Sequence, residues 1–338
     1  VTGHEERGAL MRAEIAEQPE VYAGLLDRSG DLRALHAEIR DRDPRFVLIA
    51  ARGSSDHAAL YAKYVVEVQL GLPAGLASPS TSTVYRSRQR LDDVLYLAIS
   101  QSGGSPDLLD AVQAAREGGA FTVAVTNDPT SALAGAAHRS VDLAAGPELS
   151  VAATKTYTAE LLALYLLLAP DPGSLSGLPA AATAALQHGE QVDALAARYR
   201  YTDRLVTTGR GYAYPSAREA ALKLMETCYL SAQAFSGADL LHGPLAMVDA
   251  GVPVLAVLPP GAAGAAMVPV LEAIRGRGAD VATVGSGADL DVGAPGLPEA
   301  VAPLLEILPL QQMALSLALS RGGDPDRPRG LRKVTETW

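Results

Sequence analysis

The sequence predicts an α/β protein of two doubly wound, parallel-sheet subdomains in tandem, each a three-layer α/β/α sandwich. Three observations carry this. Short apolar runs alternate with helical stretches, the pattern of parallel strands covered on both faces. The pattern also repeats. Phe46-Val47-Leu48-Ile49-Ala50-Ala51-Arg52-Gly53 resembles Arg204-Leu205-Val206-Thr207-Thr208-Gly209-Arg210-Gly211, and Arg52-Gly53 pairs with Arg210-Gly211 at an offset of 158. Ala98-Ile99 pairs with Ala256-Val257 at the same offset, and Gly119-Ala120 with Gly278-Ala279 at 159. Finally, apolar residues make up 48% and aromatics only 5%, which suits close helix–sheet packing by Ala, Leu, Val and Gly.

The elements follow in order. Ahead of Phe46 the chain reads as helices over Ala9–Gln18, Glu20–Arg28 and Leu32–Ile39, and Pro19 can sit in the first turn of the second. A strand over Phe46–Ala50 leads into a hydroxyl turn, Gly53-Ser54-Ser55-Asp56-His57, that opens the next helix. A second strand over Val94–Ile99 ends in Ser100-Gln101-Ser102-Gly103-Gly104-Ser105, and a helix runs from Pro106 to Arg116. Ala169–Leu178 is rich in Pro, Gly and Ser and reads as a linker, followed by one long helix over Ala180–Arg200. The organisation is thus N-terminal helices over 1–44, a first subdomain over 45–170, a connection over 171–200, a second subdomain over 201–320 and a tail over 321–338. The tail is polar and turn-rich with no apolar face, so composition predicts a frayed terminus, although it ends on the only tryptophan, Trp338.

Composition narrows the function. At 338 residues the chain has room for about two domains. A net charge of -10 argues against a broad nucleic-acid face, so an anionic ligand must be held by local donors. The single cysteine, Cys228, read as mid-helix, forbids an internal disulfide and makes a cysteine-based zinc site improbable. Residues 1–6 lack the features of a signal peptide, and the apolar run Leu161–Ala169 is too short to span a bilayer. A cytoplasmic protein without membrane partners is expected.

The Ser100–Ser105 loop supports two readings. Glycines and hydroxyls at the start of a helix make an anion site suited to phosphate. The same residues also make an ordinary turn with serine as helix cap. Neither the Walker pattern nor Gly-x-Gly-x-x-Gly is present. In the repeat, the matching position holds Leu258-Pro259-Pro260-Gly261, whose prolines lack N–H donors, so one anion site per chain is expected. A strand order that sets Ser55 beside Ser100, Ser102 and Ser105 would gather these hydroxyls around one phosphate. His57 reads as structural, and Asp56 as a carboxylate near a helix N-terminus.

Glu219, Lys223 and Glu226 are spaced four and three apart and so share one helix face. A solvated ion-pair ladder explains that spacing, as does a catalytic face. His242-Gly243-Pro244 places a histidine on a stiff turn, an acid–base candidate.

These motifs together resemble the sugar isomerase (SIS) superfamily. They are Gly53-Ser54-Ser55, Ser100-Gln101-Ser102-Gly103, Glu148 to Lys155, Glu226, His242-Gly243-Pro244, and Pro328-Arg329 with Lys333-Val334-Thr335. The resemblance runs from about Met11 to Thr335 and is to the isomerase domain of glucosamine-6-phosphate synthases (glutamine–fructose-6-phosphate aminotransferases) and to stand-alone deaminase/isomerases. It implies that Ser55, Ser100, Gln101, Ser102 and Ser105 bind the substrate phosphate, the family having Thr at the last, and that Val151 meets the sugar through its backbone. It implies Glu226 as the base between C1 and C2, His242 as the ring opener reaching into a neighbouring subunit, and Lys333 as the Schiff-base lysine. It also implies Lys223 as a further active-site lysine. The implied protein is a homodimer that shares its active sites, acts on a sugar phosphate and needs no cofactor or metal. Met225 departs from the synthase pattern of a lysine beside the catalytic Glu. No cysteine near the start can serve as a glutaminase nucleophile. A stand-alone enzyme converting glucosamine 6-phosphate to fructose 6-phosphate and ammonia is therefore expected. The alternatives are a synthase isomerase domain without its glutaminase, and a non-catalytic sugar-phosphate sensor.

Overall fold

The structure, a computed structural model, describes residues 7–169, 171 and 173–333. Val334, Thr335 and Trp338 lie outside the described residues, as do residues 1–6. Two compact units emerge. One holds Glu20–Glu148 and the segment from Lys155 to Gly173. The other holds the chain up to Pro19, Leu149–Thr154 and Ser174–Lys333.

The first unit carries β1 (Phe46–Ala50), β2 (Ala74–Leu76), β3 (Val94–Ile99), β4 (Phe121–Thr126) and β5 (Arg139–Asp142). They form one parallel sheet in the order β2-β1-β3-β4-β5. The inner strands read as continuous apolar runs because helices cover both faces. Ala98, Tyr96 and Ala124 pack with Leu108 and Val112 of the helix Pro106–Glu117. The helix Lys155–Leu168 is buried at every position, which explains a Leu-rich segment with no polar face.

The second unit carries β6 (Arg204–Gly209), β7 (Ser231–Ser236), β8 (Pro253–Leu258), β9 (Asp280–Gly285) and β10 (Leu290–Asp291). Its order, β10-β9-β8-β6-β7, is the first sheet's order strand for strand. The register repeats too. Ala50 pairs with Ala98 and Thr208 with Ala256, and 98 − 50 = 256 − 208. Gly53 and Gly211 each follow the first strand of their sheet with φ 58°, a left-handed turn that glycine adopts without strain. The duplication inferred from spacing is therefore a duplication of fold.

Three local expectations need correction. The long helix over Ala180–Arg200 is two helices, Leu178–Ala185 and Gly189–Arg198, because the chain turns through Gln187 and His188 into Gly189, a poor helix interior residue. Cys228 is not mid-helix. It is the last residue of the helix Ala213–Cys228, and Tyr229 follows at φ 59° as a left-handed cap. The described part of the tail is not frayed. Asp326 is 6% exposed and accepts from the N–H groups of Leu10 and Met11 at 3.0 and 2.8 Å, satisfying helix-start donors that sequence composition cannot reveal.

Among the described residues one helical stretch, Glu299–Ser320, is long and apolar enough to cross a membrane, but 83% of its window is buried within the fold, as in a core helix.

Candidate functional site

In a doubly wound sheet, ligands sit beyond the carboxyl ends of the strands where the order reverses. In the first unit that point lies between β1 and β3, since β1 pairs with β2 on one side and β3 on the other. The adjacent loops there are the Gly53–Ser55 turn and the Ser100–Ser105 turn. The strand order therefore brings Ser55 and the Ser100–Ser105 hydroxyls to neighbouring loop positions.

The second loop is built from its own hydroxyls. Ser100 Oγ accepts from Gly103 N at 3.2 Å, and Ser102 Oγ accepts from Gly104 N at 3.3 Å. The carbonyl of Gln101 is held by Asn127 N at 3.0 Å and Thr126 Oγ1 at 3.3 Å, which pins the loop to the end of β4. Gly103 takes φ 59°, and a Cβ there would strike Ser131, so no other residue fits without a shift. Ser105 occupies the N-cap position of the helix Pro106–Glu117, yet its hydroxyl caps nothing. The helix-cap reading of the loop fails there, and the anion reading keeps an uncommitted hydroxyl beside helix N–H donors.

Ser55 differs from its neighbours. It is buried, and its hydroxyl donates to Glu160 Oε1 at 2.8 Å. Any phosphate contact from Ser55 must come from its oxygen or its N–H. Glu160 is the lone carboxylate within a Leu-rich helix, and its pairing with Ser55, 105 residues away, is set by the tertiary structure. Arg52, a repeat anchor in sequence, has a structural role as well. It forms a two-nitrogen pair with Asp107, Nε at 2.8 Å and Nη2 at 2.7 Å, joining the two loops across the switch point.

The second unit holds the acid–base candidates. Glu219 and Lys223 have fully buried side chains, whereas that of Glu226 keeps 21% exposure. Lys223 Nζ lies 2.5 Å from Glu226 Oε2 and 3.4 Å from Glu219 Oε1. The approach to Glu226 is an ion pair without an aligned hydrogen bond, since Oε2 lacks a partner of good angle. This overturns the solvated ladder. A surface ladder is nearly neutral for stability, whereas buried charges cost several kcal/mol in desolvation and are poor stabilisers. A lysine held between two carboxylates, one of them reachable from solvent, is a candidate for acid–base work.

Lys333 Nζ donates to the carbonyl of Ser150 at 2.6 Å. Next in sequence, the Val151 N–H donates to the Asp326 carbonyl at 3.3 Å, so a sugar contact from Val151 rests on its carbonyl. Glu14 completes this cradle, accepting from Ser150 N at 3.2 Å and from Leu149 N. Sequence reasoning missed both Glu14 and Asp326. Each is a backbone-holding carboxylate that becomes recognisable only once the distant segment is in place. Arg329 donates its N–H to the Tyr229 hydroxyl at 2.9 Å and stacks its guanidinium on that ring at 4.1 Å, fixing the tail to the end of the Glu226 helix.

His242 stands apart. It follows the short helix Gly237–Leu241, is exposed, and precedes Gly243 at φ 128°. Among the described residues no group of three or more His, Cys, Asp or Glu could hold a metal ion.

The family model described as SIS domain matches residues 41–170 and 199–320. A glutamine–fructose-6-phosphate aminotransferase (isomerizing) of Methanothermobacter thermautotrophicus is 35% identical over 96% of this chain and 57% of its own length. This chain thus spans somewhat over half the length of the curated relatives it matches. Among solved structures, a candidate phosphosugar isomerase from Silicibacter pomeroyi DSS-3 is 39% identical, with TM-score 0.83, over 94% of this chain and 99% of that one. The C-terminal domain of the glucosamine-fructose-6-phosphate aminotransferase of Francisella tularensis matches at 26% identity and TM-score 0.85, over 97% of this chain and 100% of that one. A glucosamine-6-phosphate deaminase of Thermotoga maritima shares the fold at TM-score 0.82 and 21% identity, over 97% of this chain and 100% of that one.

Proposed function

Because the chain belongs to the SIS domain family, we propose that it is a sugar-phosphate isomerase that converts glucosamine 6-phosphate to fructose 6-phosphate and ammonia. The observation that carries the acid–base reading is the buried Glu219–Lys223–Glu226 face with Glu226 alone left accessible. A sensor module has no need of such a costly group of charges.

In this reading the Ser100, Gln101, Ser102 and Ser105 loop, with Ser55, takes the phosphate. Binding at that remote end positions the reacting carbons. His242, supplied by the neighbouring subunit of a homodimer, opens the ring. Glu226 removes the C2 proton of the open 2-amino aldose and returns it to C1 while an amine proton passes to O1, giving a 2-imino ketose. Lys223, ion-paired with Glu226 at 2.5 Å, holds that carboxylate in place for the step. The Lys333 amine adds to the C2 imine carbon and expels ammonia, leaving a lysine Schiff base. Water hydrolyses that bond, releasing fructose 6-phosphate and free Lys333. The Val151 carbonyl orients the sugar.

A second reading rests on the curated relatives, which are aminotransferases about half matched by this chain. There the same residues run in the opposite direction with ammonia delivered by another domain. The deciding experiment incubates the protein with glucosamine 6-phosphate and, separately, with fructose 6-phosphate plus ammonium. Fructose 6-phosphate and ammonia should appear in the first, and Glu226→Gln should abolish both. Equal inactivity of wild type and E226Q on glucosamine 6-phosphate and other hexosamine phosphates would reject the enzymatic reading.

A further inference from the structure

The second unit contains a cavity that the proposed reaction does not use. It measures about 180 Å³ and opens beyond the carboxyl ends of β8 and β9, bounded by Pro260, Gly285 and Ser286. Loop residues Val292 and Leu297 and helix residue Leu305 make its walls apolar. One ionisable side chain lines it, Glu306, in the first turn of the helix Pro303–Ser320. Glu306 is 1% exposed, and neither carboxylate oxygen has a hydrogen-bond partner. A buried carboxyl with two orphaned oxygens is costly unless something satisfies it.

The surroundings select what that is. Glu299 is the charged group whose field reaches Glu306, so the local potential is negative. The Glu299 carboxylate itself lies over Gly261, at the N-terminus of the helix Gly261–Arg275, where negative charge is welcome. Glu306 has no such compensation. No lysine or arginine lines the cavity. Two carboxylates do not make a divalent-metal site, and no group of three metal-ligating side chains occurs among the described residues. Apolar walls disfavour a small hydrated inorganic cation and suit a short alkyl chain. The volume accommodates a ligand of several heavy atoms.

We propose that this cavity is a second ligand site, which binds a small primary alkylammonium with its N–H donors on Glu306 and its carbon chain against Val292, Leu297 and Leu305. The duplication gives the idea structural sense. The first sheet keeps a hydroxyl loop for an anion after β3. At the matching place after β8 the second copy replaces those donors with prolines and sets an acidic, apolar pocket beside them. Binding of the cation to a protonated Glu306 displaces its proton to solvent.

The test is calorimetric titration of the intact protein at pH 7 with n-propylammonium chloride, in phosphate and in MOPS, neither of which is a primary ammonium, with potassium chloride as the ionic control. Wild type should bind and release about one proton per site, seen as a difference in heat between the two buffers. Glu306→Gln should lose both binding and proton release. Ala302→Leu, which fills the cavity and keeps the carboxyl, should lose binding as well, and serves if the first variant does not fold. Glu226→Gln should bind like wild type, which separates this site from the proton-handling face. The proposal is overturned if wild type does not bind propylammonium at tens of millimolar, if E306Q or A302L binds unchanged, if E226Q abolishes binding, or if potassium competes equally.

Discussion

Arg52 and Asp107 form a two-nitrogen ion pair at 2.8 and 2.7 Å across the switch point of the first sheet, with Asp107 only 2% exposed. Asp107 Oδ1 also accepts from Leu108 N at 2.9 Å. The pair therefore ties the turn after β1 to the helix that follows the serine loop, and sets the spacing of the two loops proposed to hold phosphate. Arg52→Ala leaves a buried carboxylate without its partner. Breaking a fully buried pair costs about 3–5 kcal/mol, but the arginine is half-exposed, so a loss of about 1–2 kcal/mol in urea unfolding is expected. KM for the sugar phosphate should rise more than kcat falls. An unchanged KM would separate this pair from ligand binding.

Glu226→Gln keeps the shape of the Lys223 face and removes the base. A fall in kcat of about 10²–10⁴-fold is expected, with no more than a small change in melting temperature. Lys223→Met should behave otherwise, because it strips the cation from buried Glu219 as well. It should both inactivate and destabilise, read by thermal unfolding in parallel with ammonia release.

Exposed His242 acts, in the proposed reading, in the neighbouring subunit's site. His242→Ala and E226Q should each be inactive alone. Mixed and re-associated, they should recover about a quarter of wild-type activity, since half the dimers carry one intact site of two. No recovery from verified mixed dimers would place the histidine's role within its own subunit or dismiss it.

Glu306 makes stability fall with rising pH. Burial pushes its carboxyl up to about 8 from an ordinary value of 4.5, with the Glu299 carboxylate adding to the effect. The folded state then binds a proton that the unfolded state has released. Its contribution is intact below pH 4.5 and is progressively lost up to pH 8, at no more than about 1.4 kcal/mol per pH unit. In chemical denaturation from pH 5 to 9, E306Q should flatten that slope and exceed wild type in stability at the alkaline end.

Cys228 is buried, donates its thiol to the Ala314 carbonyl at 3.3 Å, and has its ionisation pushed up to about 11 by that burial. It should be inert to a thiol-specific disulfide reagent at pH 8 and react once the protein is unfolded, because only the thiolate is nucleophilic. Rapid modification of the native protein would show that the end of the Ala213–Cys228 helix opens.

The sequence alone determined the fold class, because strand and helix periodicities are local properties and the 158-residue offset exposes the repeat directly. It also marked the hydroxyl loop, since glycines and serines between a strand and a helix suit an anion as well as a helix cap. It left the Lys223 face open between two readings, and composition misjudged the tail and the helix break near His188, where the outcome depends on what packs against the segment. Spacing puts Glu219, Lys223 and Glu226 on one face but cannot say whether that face meets water, and burial turns a neutral ladder into a functional candidate. Glu14, Asp326 and Glu160 were invisible for the same reason. Each serves a segment more than a hundred residues away, and such pairings are written in tertiary contacts rather than in local pattern. Only folding shows that a carboxylate such as Glu306 ends beside a cavity with nothing to satisfy it, because desolvation belongs to the assembled core and not to the residue.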